Sequence, residues 1–128
     1  VCLSGDFNEP SWLDWTEGAY AADLASYVVQ WPTTRSLWEG GIKGDAYRTI
    51  HPDPVTHPGF TWTPRPSKKD TKDRLDLTLY TLSPNTEVKS CQVIGENTET
   101  SDIVLPNWGP FENVFDHRGL RTEFVFTK

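Results

Sequence analysis

Cysteine, basic charge and long apolar runs are all scarce in this chain, and each scarcity excludes something. Among 128 residues there are 2 cysteines, Cys2 and Cys91. A zinc site usually takes about four close ligands, so this pair does not make one. Two readings stand for them, a disulfide or two buried free thiols. Lys and Arg number 12 against 18 Asp and Glu, for a net charge of -6. That argues against non-specific nucleic-acid binding through a broad basic surface. It leaves a nuclease open, because bound divalent cations offset a local acidic cluster. No apolar run reaches the ~18 residues of a membrane-spanning helix. No internal repeat, low-complexity segment or signal peptide is visible, although the chain opens abruptly at Val1 within an apolar stretch.

What remains suits one globular domain. Hydrophobic residues make up 36% and charged residues 23%, with 6 Trp and with 10 Pro that point to many loops. A chain of this size buries somewhat under about 70% of its unfolded surface, enough for one core.

The pattern along the chain is a strand, then helices, then mostly strands. Val1-Cys2-Leu3-Ser4 reads as a buried strand stopped by Gly5. Ser11 with Asp14 three residues on resembles a capping box, which predicts a helix over about Trp12 to Thr16. A second helical stretch is expected near Ala19 to Tyr27. Thr33 or Thr34 is placed to cap a helix through Leu37-Trp38, ended by Gly40-Gly41. Asp45-Ala46-Tyr47-Arg48 reads as a helical turn, and the proline-rich stretch from His51 to Pro58 as loop. Phe60-Thr61-Trp62-Thr63, Leu75 to Leu82, Val88 to Ile94 and Leu120 to Phe126 have strand character. Pro64 to Lys72 and Gly95 to Gly109 read as loops. This order predicts an α/β or α+β layer with a mixed, mostly antiparallel sheet.

Three acidic motifs stand at strand ends: Gly5-Asp6-Phe7-Asn8, Asp73-Arg74-Leu75-Asp76 and Asp116-His117-Arg118. Residues two apart in an extended stretch point the same way, so Asp6 and Asn8 are expected to face one pocket. Each motif also has a plainer reading. Gly-Asp and Asn-Glu-Pro are ordinary turn formers. Asp76 with Arg74 is an ordinary surface ion pair. Asp116-His117 is a solvated loop pair, though a His beside a carboxylate is also a common acid–base unit. Two carboxylates, an amide and an imidazole at one spot would suit metal-assisted phosphate chemistry.

Taken in order, these motifs resemble the C-terminal half of the endonuclease/exonuclease/phosphatase superfamily. The matching stretches are Gly5-Asp6-Phe7-Asn8, Asp45-Ala46-Tyr47-Arg48, Phe60-Thr61-Trp62-Thr63, Arg74-Leu75-Asp76 and Asp116-His117-Arg118. The resemblance runs from Leu3 to Phe126. It implies half of a two-layer β-sandwich flanked by helices. It also implies catalytic roles. His117 would contact the scissile phosphate, and Asp76 would orient it. Asp6 would position or deprotonate the attacking water and stand near the metal. Asn8 would contact phosphate and water, and Asp116 would ligate the metal. Oxygen-rich ligation suits Mg2+ or Mn2+. Phe60, Trp62 and Arg74 are the candidates for lining a substrate pocket. Phe115 departs from the family's usual Ser before the Asp-His pair.

The family's N-terminal half, with its main metal-binding Glu, precedes the Gly-Asp-Phe-Asn strand. One half alone would expose an inner sheet face near Leu3, Leu77, Leu79, Val93 and Phe124. A homodimer through that face, or a missing N-terminal half, is therefore expected. The function implied is a metal-dependent phosphatase or phosphodiesterase acting on a phosphate-ester substrate, with a nuclease acting on nucleic acid as the variant within that class. A non-catalytic fragment or phosphate-binding module is the competing class. The basic loop Arg65 to Lys69 reads as solvated surface.

Overall fold

A computed structural model describes residues 1–62, 71–95 and 117–127. Short helices and antiparallel strands make an α+β fold. The elements are β1 (Cys2–Asp6), α1 (Glu17–Ala21), α2 (Pro32–Glu39), β2 (Gly44–Asp45), α3 (Ala46–Ile50), β3 (Asp76–Tyr80), β4 (Thr86–Ile94) and β5 (Gly119–Phe126). Strands β1, β3 and β2 form one sheet in that order, and β4 pairs with β5 in a second. Every strand pairing among the described elements is antiparallel, in keeping with the mostly antiparallel sheet expected.

Strand β3 is central because its sequence, Asp-Leu-Thr-Leu-Tyr, is apolar or β-branched throughout after the first residue. Leu77, Thr78, Leu79 and Tyr80 are all buried. Strand β4 obeys a different rule. A bulge between Val88 and Ser90 resets its alternation, so Val88, Cys91 and Val93 all turn inward. Such an extra residue is how a strand keeps its apolar set on one face after a phase slip. These three pack with Ala46, Tyr47 and Tyr80, and Ile50, Leu120 and Phe124 close the cluster. A second cluster joins Trp15, Ala19 and Ala25 to Leu24, Val29 and Trp31.

The helix ends follow local chemistry. Helix α1 is capped by Thr16, whose hydroxyl accepts from Ala19 N at 3.2 Å. It stops at Ala21 because Asp23 takes φ 59°, and Leu24 N then reaches back to Ala19 O at 2.9 Å. Asp is one of the few residues that enter this left-handed region readily. The expected helix over Trp12 to Thr16 is instead a set of turns, and the helix expected to reach Tyr27 ends six residues early. Asp14 makes the expected bond back to Ser11 N at 3.3 Å, but the same carboxylate also binds two arginines, and turns rather than a helix follow. Helix α2 ends at Gly40-Gly41 as expected, but it begins with Pro32, ahead of the Thr33 or Thr34 placed to cap it. Its cap, however, comes from Glu9, whose carboxylate accepts from Thr33 N and Thr34 N at 2.8 and 3.2 Å.

Two further expectations change. Leu77, Leu79 and Val93 are buried and Leu3 and Phe124 half-buried, so the face argued for self-association is not an open one. The exposed apolar side chains lie elsewhere. Val1 and Phe126 flank a groove of about 280 Å³ also lined by Cys2, Tyr80 and Phe124. Both cysteines are free, with Cys91 buried and Cys2 exposed. No helix among the described residues is long and apolar enough to cross a membrane.

Gly44 offers a test of the packing. A Cβ there would run into the Tyr80 ring, which is itself buried in the core. Gly44→Ala is expected to lower stability by about 1–3 kcal/mol, the usual range for overpacking. A thermal midpoint equal to that of the wild type would contradict this packing.

Candidate functional site

Strands β1 and β3 end side by side, and their register sets Asp6 opposite Asp76. Two carboxylates directly across a ladder repel one another unless a cation or donor stands between them. Here His117 does. Its Nδ1 lies 2.8 Å from Asp76 Oδ2, and its Nε2 lies 3.9 Å from Asp6 Oδ2. An ionised carboxylate only accepts, so Nδ1 carries the proton toward Asp76. That leaves Nε2 facing Asp6 across a gap too long for a direct hydrogen bond. A gap of this width is one that an intervening oxygen bridges. The three side chains are 20–38% exposed, which places them at a rim rather than in the core.

Asp76 of β3 holds the imidazole, and the stretch 60–62 holds the backbone around it. Trp62 makes isolated bridges to both Asp73 and His117. Thr61 O accepts from Arg118 N at 2.7 Å, and Phe60 O accepts from the Arg118 guanidinium at 3.2 Å. On the other side, Thr61 N and Trp62 N both donate to Asp73 O, at 3.0 and 2.9 Å. The 60–62 stretch thus stitches His117 and Arg118 to the approach to β3.

Behind the rim lies a buried ionic network. Arg74 donates to Asp14 at 2.9 and 3.1 Å and to Asp45 at 2.6 and 3.0 Å. Arg48 donates to Asp14 at 2.7 Å and to the carbonyls of His51, His57 and Pro58. Asp45 also caps α3, accepting from Tyr47 N and Arg48 N. Burial alone would raise the Asp45 carboxyl, but the Arg74 guanidinium outweighs it and holds the pKa below the ordinary value. Burial likewise opposes the charge on Arg74, yet Asp14 and Asp45 raise its pKa further. Asp73 moves the other way: burial pushes its carboxyl up against the indole N–H it accepts from Trp15, and Asp14 adds to the rise. The network pins β3 at its start, two residues before Asp76.

The structure brings together Asp6, Asp76 and His117. Asn8 follows by a different route from the one expected. The strand ends at Asp6, Asn8 takes φ 50°, and its backbone N–H bonds Asp6 Oδ1 at 2.8 Å. A turn stabilised by the aspartate therefore replaces the extended alternation. Asn8 itself is exposed. Asp116 lies outside the described residues. Arg74 is 2% exposed, and its guanidinium is divided between two aspartates. Phe60 lines a cavity of about 20 Å³ beside Asp14, Arg48 and Arg74, a space fit for a water rather than a substrate. Trp62 is half-buried and meets His117 through its backbone bridge. Among the described residues, no group of three His, Cys, Asp or Glu is placed to hold a metal ion.

Two things escaped the sequence. One is the role of Asp14, whose spacing from Ser11 suggested a cap. The other is Thr61, which lies between two aromatic residues in an extended stretch and so turns to the opposite side. Its period-two position was the available signal.

No family model matches the chain, and no solved structure matches it. A stretch of 63 residues is 41% identical to an uncharacterized protein of Caenorhabditis elegans. That stretch is 49% of this chain and 19% of the length of the nematode protein.

Proposed function

We propose that this chain carries the catalytic half-site of a magnesium-dependent phosphoester hydrolase, a phosphatase or phosphodiesterase. The supporting observation is the His117 imidazole set between Asp76 at 2.8 Å and Asp6 at 3.9 Å. Asp76 fixes the tautomer and orientation of the ring. In the imidazolium Nε2 carries a second proton and donates to a phosphate oxygen as negative charge develops on it. Asp6, with its carboxylate exposed on the other side of the gap, accepts a proton from the attacking water. Asn8, turned over Asp6, presents an amide at the same rim.

The donor chemistry fits magnesium in type. That ion prefers oxygen ligands, keeps several waters and binds through one or two carboxylates. Asp6 is such a carboxylate, and we propose Asp116 as a second. The remaining ligands would come from the N-terminal half that the family resemblance implies. When bound, the ion would offset the charge of the phosphate.

The competing reading is a phosphate-binding module without turnover. One assay separates the two. The purified chain is given a generic phosphomonoester and phosphodiester with magnesium, with chelator, and as Asp6→Asn. Magnesium-stimulated hydrolysis that falls by about 10²-fold or more in Asp6→Asn supports the enzyme. Phosphate binding without hydrolysis under any of these conditions supports the module and sinks the enzyme reading for this chain.

A further inference from the structure

We infer that Thr61 is a positioning residue that sets the bond between Asp76 and His117. Its side chain is 0% exposed. The hydroxyl oxygen accepts from two consecutive backbone donors, Leu75 N at 3.0 Å and Asp76 N at 3.1 Å. Its carbonyl accepts from Arg118 N at 2.7 Å, the residue directly after His117. One residue therefore holds the backbone of both members of the pair.

The alternatives for these groups are poor. Leu75 O is taken by Phe7 N at 2.9 Å, and Asp73 N and O are taken by the 61–62 backbone. Within the described hydrogen bonds, the first two amides of the β3 entry are satisfied by a side chain rather than by a neighbouring strand. Removing that hydroxyl leaves two donors without their acceptor at the point where Asp76 is aimed. The entry to β3 would shift to find new acceptors, and the Asp76 carboxylate would move with it. Phe7 N hangs on the same segment, so the Asp6 side of the site would follow.

The catalytic consequence rests on the phosphoesterase reading, whereas the geometric claim does not. Both are read from Thr61→Val, Thr61→Ser and Asp76→Asn in the full chain, with Gly44→Ala as a destabilised control. Gly44 pairs with Tyr80, at the far end of β3. The 15N shifts of the His117 imidazole report its tautomer and hydrogen bond. They are expected to match the wild type in Thr61→Ser and Gly44→Ala, and to move toward those of Asp76→Asn in Thr61→Val. Where turnover is measurable, kcat is expected to fall about 10- to 100-fold in Thr61→Val, the usual loss for an outer partner of a site, with KM nearly unchanged. If Thr61→Val does not fold, Thr61→Ala removes the same hydroxyl with less bulk. Wild-type imidazole shifts in the hydroxyl-deleted variant overturn the inference. A wild-type chain without turnover overturns the phosphoesterase reading instead, and the shifts still decide the role of Thr61.

Discussion

Replacing His117 with alanine is expected to lower magnesium-stimulated phosphoester turnover by about 10²- to 10⁴-fold, the usual worth of a positioned acid–base group. The imidazole reaches Asp76 through Nδ1 and turns Nε2 toward Asp6, so alanine removes both the donor and the link between two carboxylates. The two aspartates are register partners, and without the ring their like charges face one another. Asp76→Asn is the sharper companion. The amide can offer oxygen or N–H to Nδ1, and the tautomer is no longer selected, so a loss of about 10- to 100-fold is expected. Neither change should unfold the chain, because all three groups sit at a rim with partly exposed side chains. Circular dichroism and the thermal midpoint would confirm that. A His117→Ala protein that works at the wild-type rate would remove the imidazole from the mechanism.

Arg74→Leu is expected to destabilise the fold by about 3–5 kcal/mol, because it breaks a buried pair and leaves the partners charged. Here two carboxylates lose their cation at once. Asp14 keeps Arg48 at 2.7 Å, whereas Asp45 keeps its cap bonds to α3 and a hydrogen bond from Ser11 but no cation. Domains of this size are stable by about 5–15 kcal/mol, so the loss is a large fraction of the total. The midpoint should fall by about 10–20 °C. Asp45→Asn in the same background should recover part of that, since it removes the stranded charge. Strict additivity of the two changes in a double-mutant cycle would show that the pair does not interact.

The same pair predicts an acid response. Asp45 has a folded pKa below its unfolded value, which is about 3.9. Its contribution is therefore present above that value and lost as pH falls through the folded pKa. Asp73 has the opposite sign. Its folded pKa is raised, so its ionisation removes stability as pH rises from about 3.9 toward the folded value. Denaturant unfolding between pH 2 and 6 should show Asp45→Asn flattening the acid slope and Asp73→Asn steepening it.

Much of the site was legible in the residues because it depends on strand ends. Gly5-Asp6 and Arg74-Leu75-Asp76 flank apolar runs, and antiparallel pairing of those runs sets Asp6 against Asp76. The sheet strands β3, β4 and β5 follow from their alternation to within a few residues. Gly40-Gly41 ends α2 by backbone rules that need no neighbour. The misreadings share one cause. Asp14 and Arg74 each have a local partner in sequence, Ser11 and Asp76, and each is also or instead bound to a charge far away. A charged side chain reads as surface until the tertiary fold supplies a buried counter-charge. The bulge in β4 is similar, since only the facing strand shows that one residue is extra.

The sequence by itself determined the α+β order, the ends of the central strands and the residue types that gather at them. Local spacing and turn chemistry act within a few residues, and they are enough for that. Only the tertiary structure decided that Arg74 is a buried strut between Asp14 and Asp45. Only it decided that Thr61 stands between Asp76 and His117, and that the imidazole faces Asp6 across 3.9 Å. Those outcomes depend on contacts between segments far apart in the chain, as Asp14 is from Arg74 and Asp6 from His117, and no local pattern carries that distance.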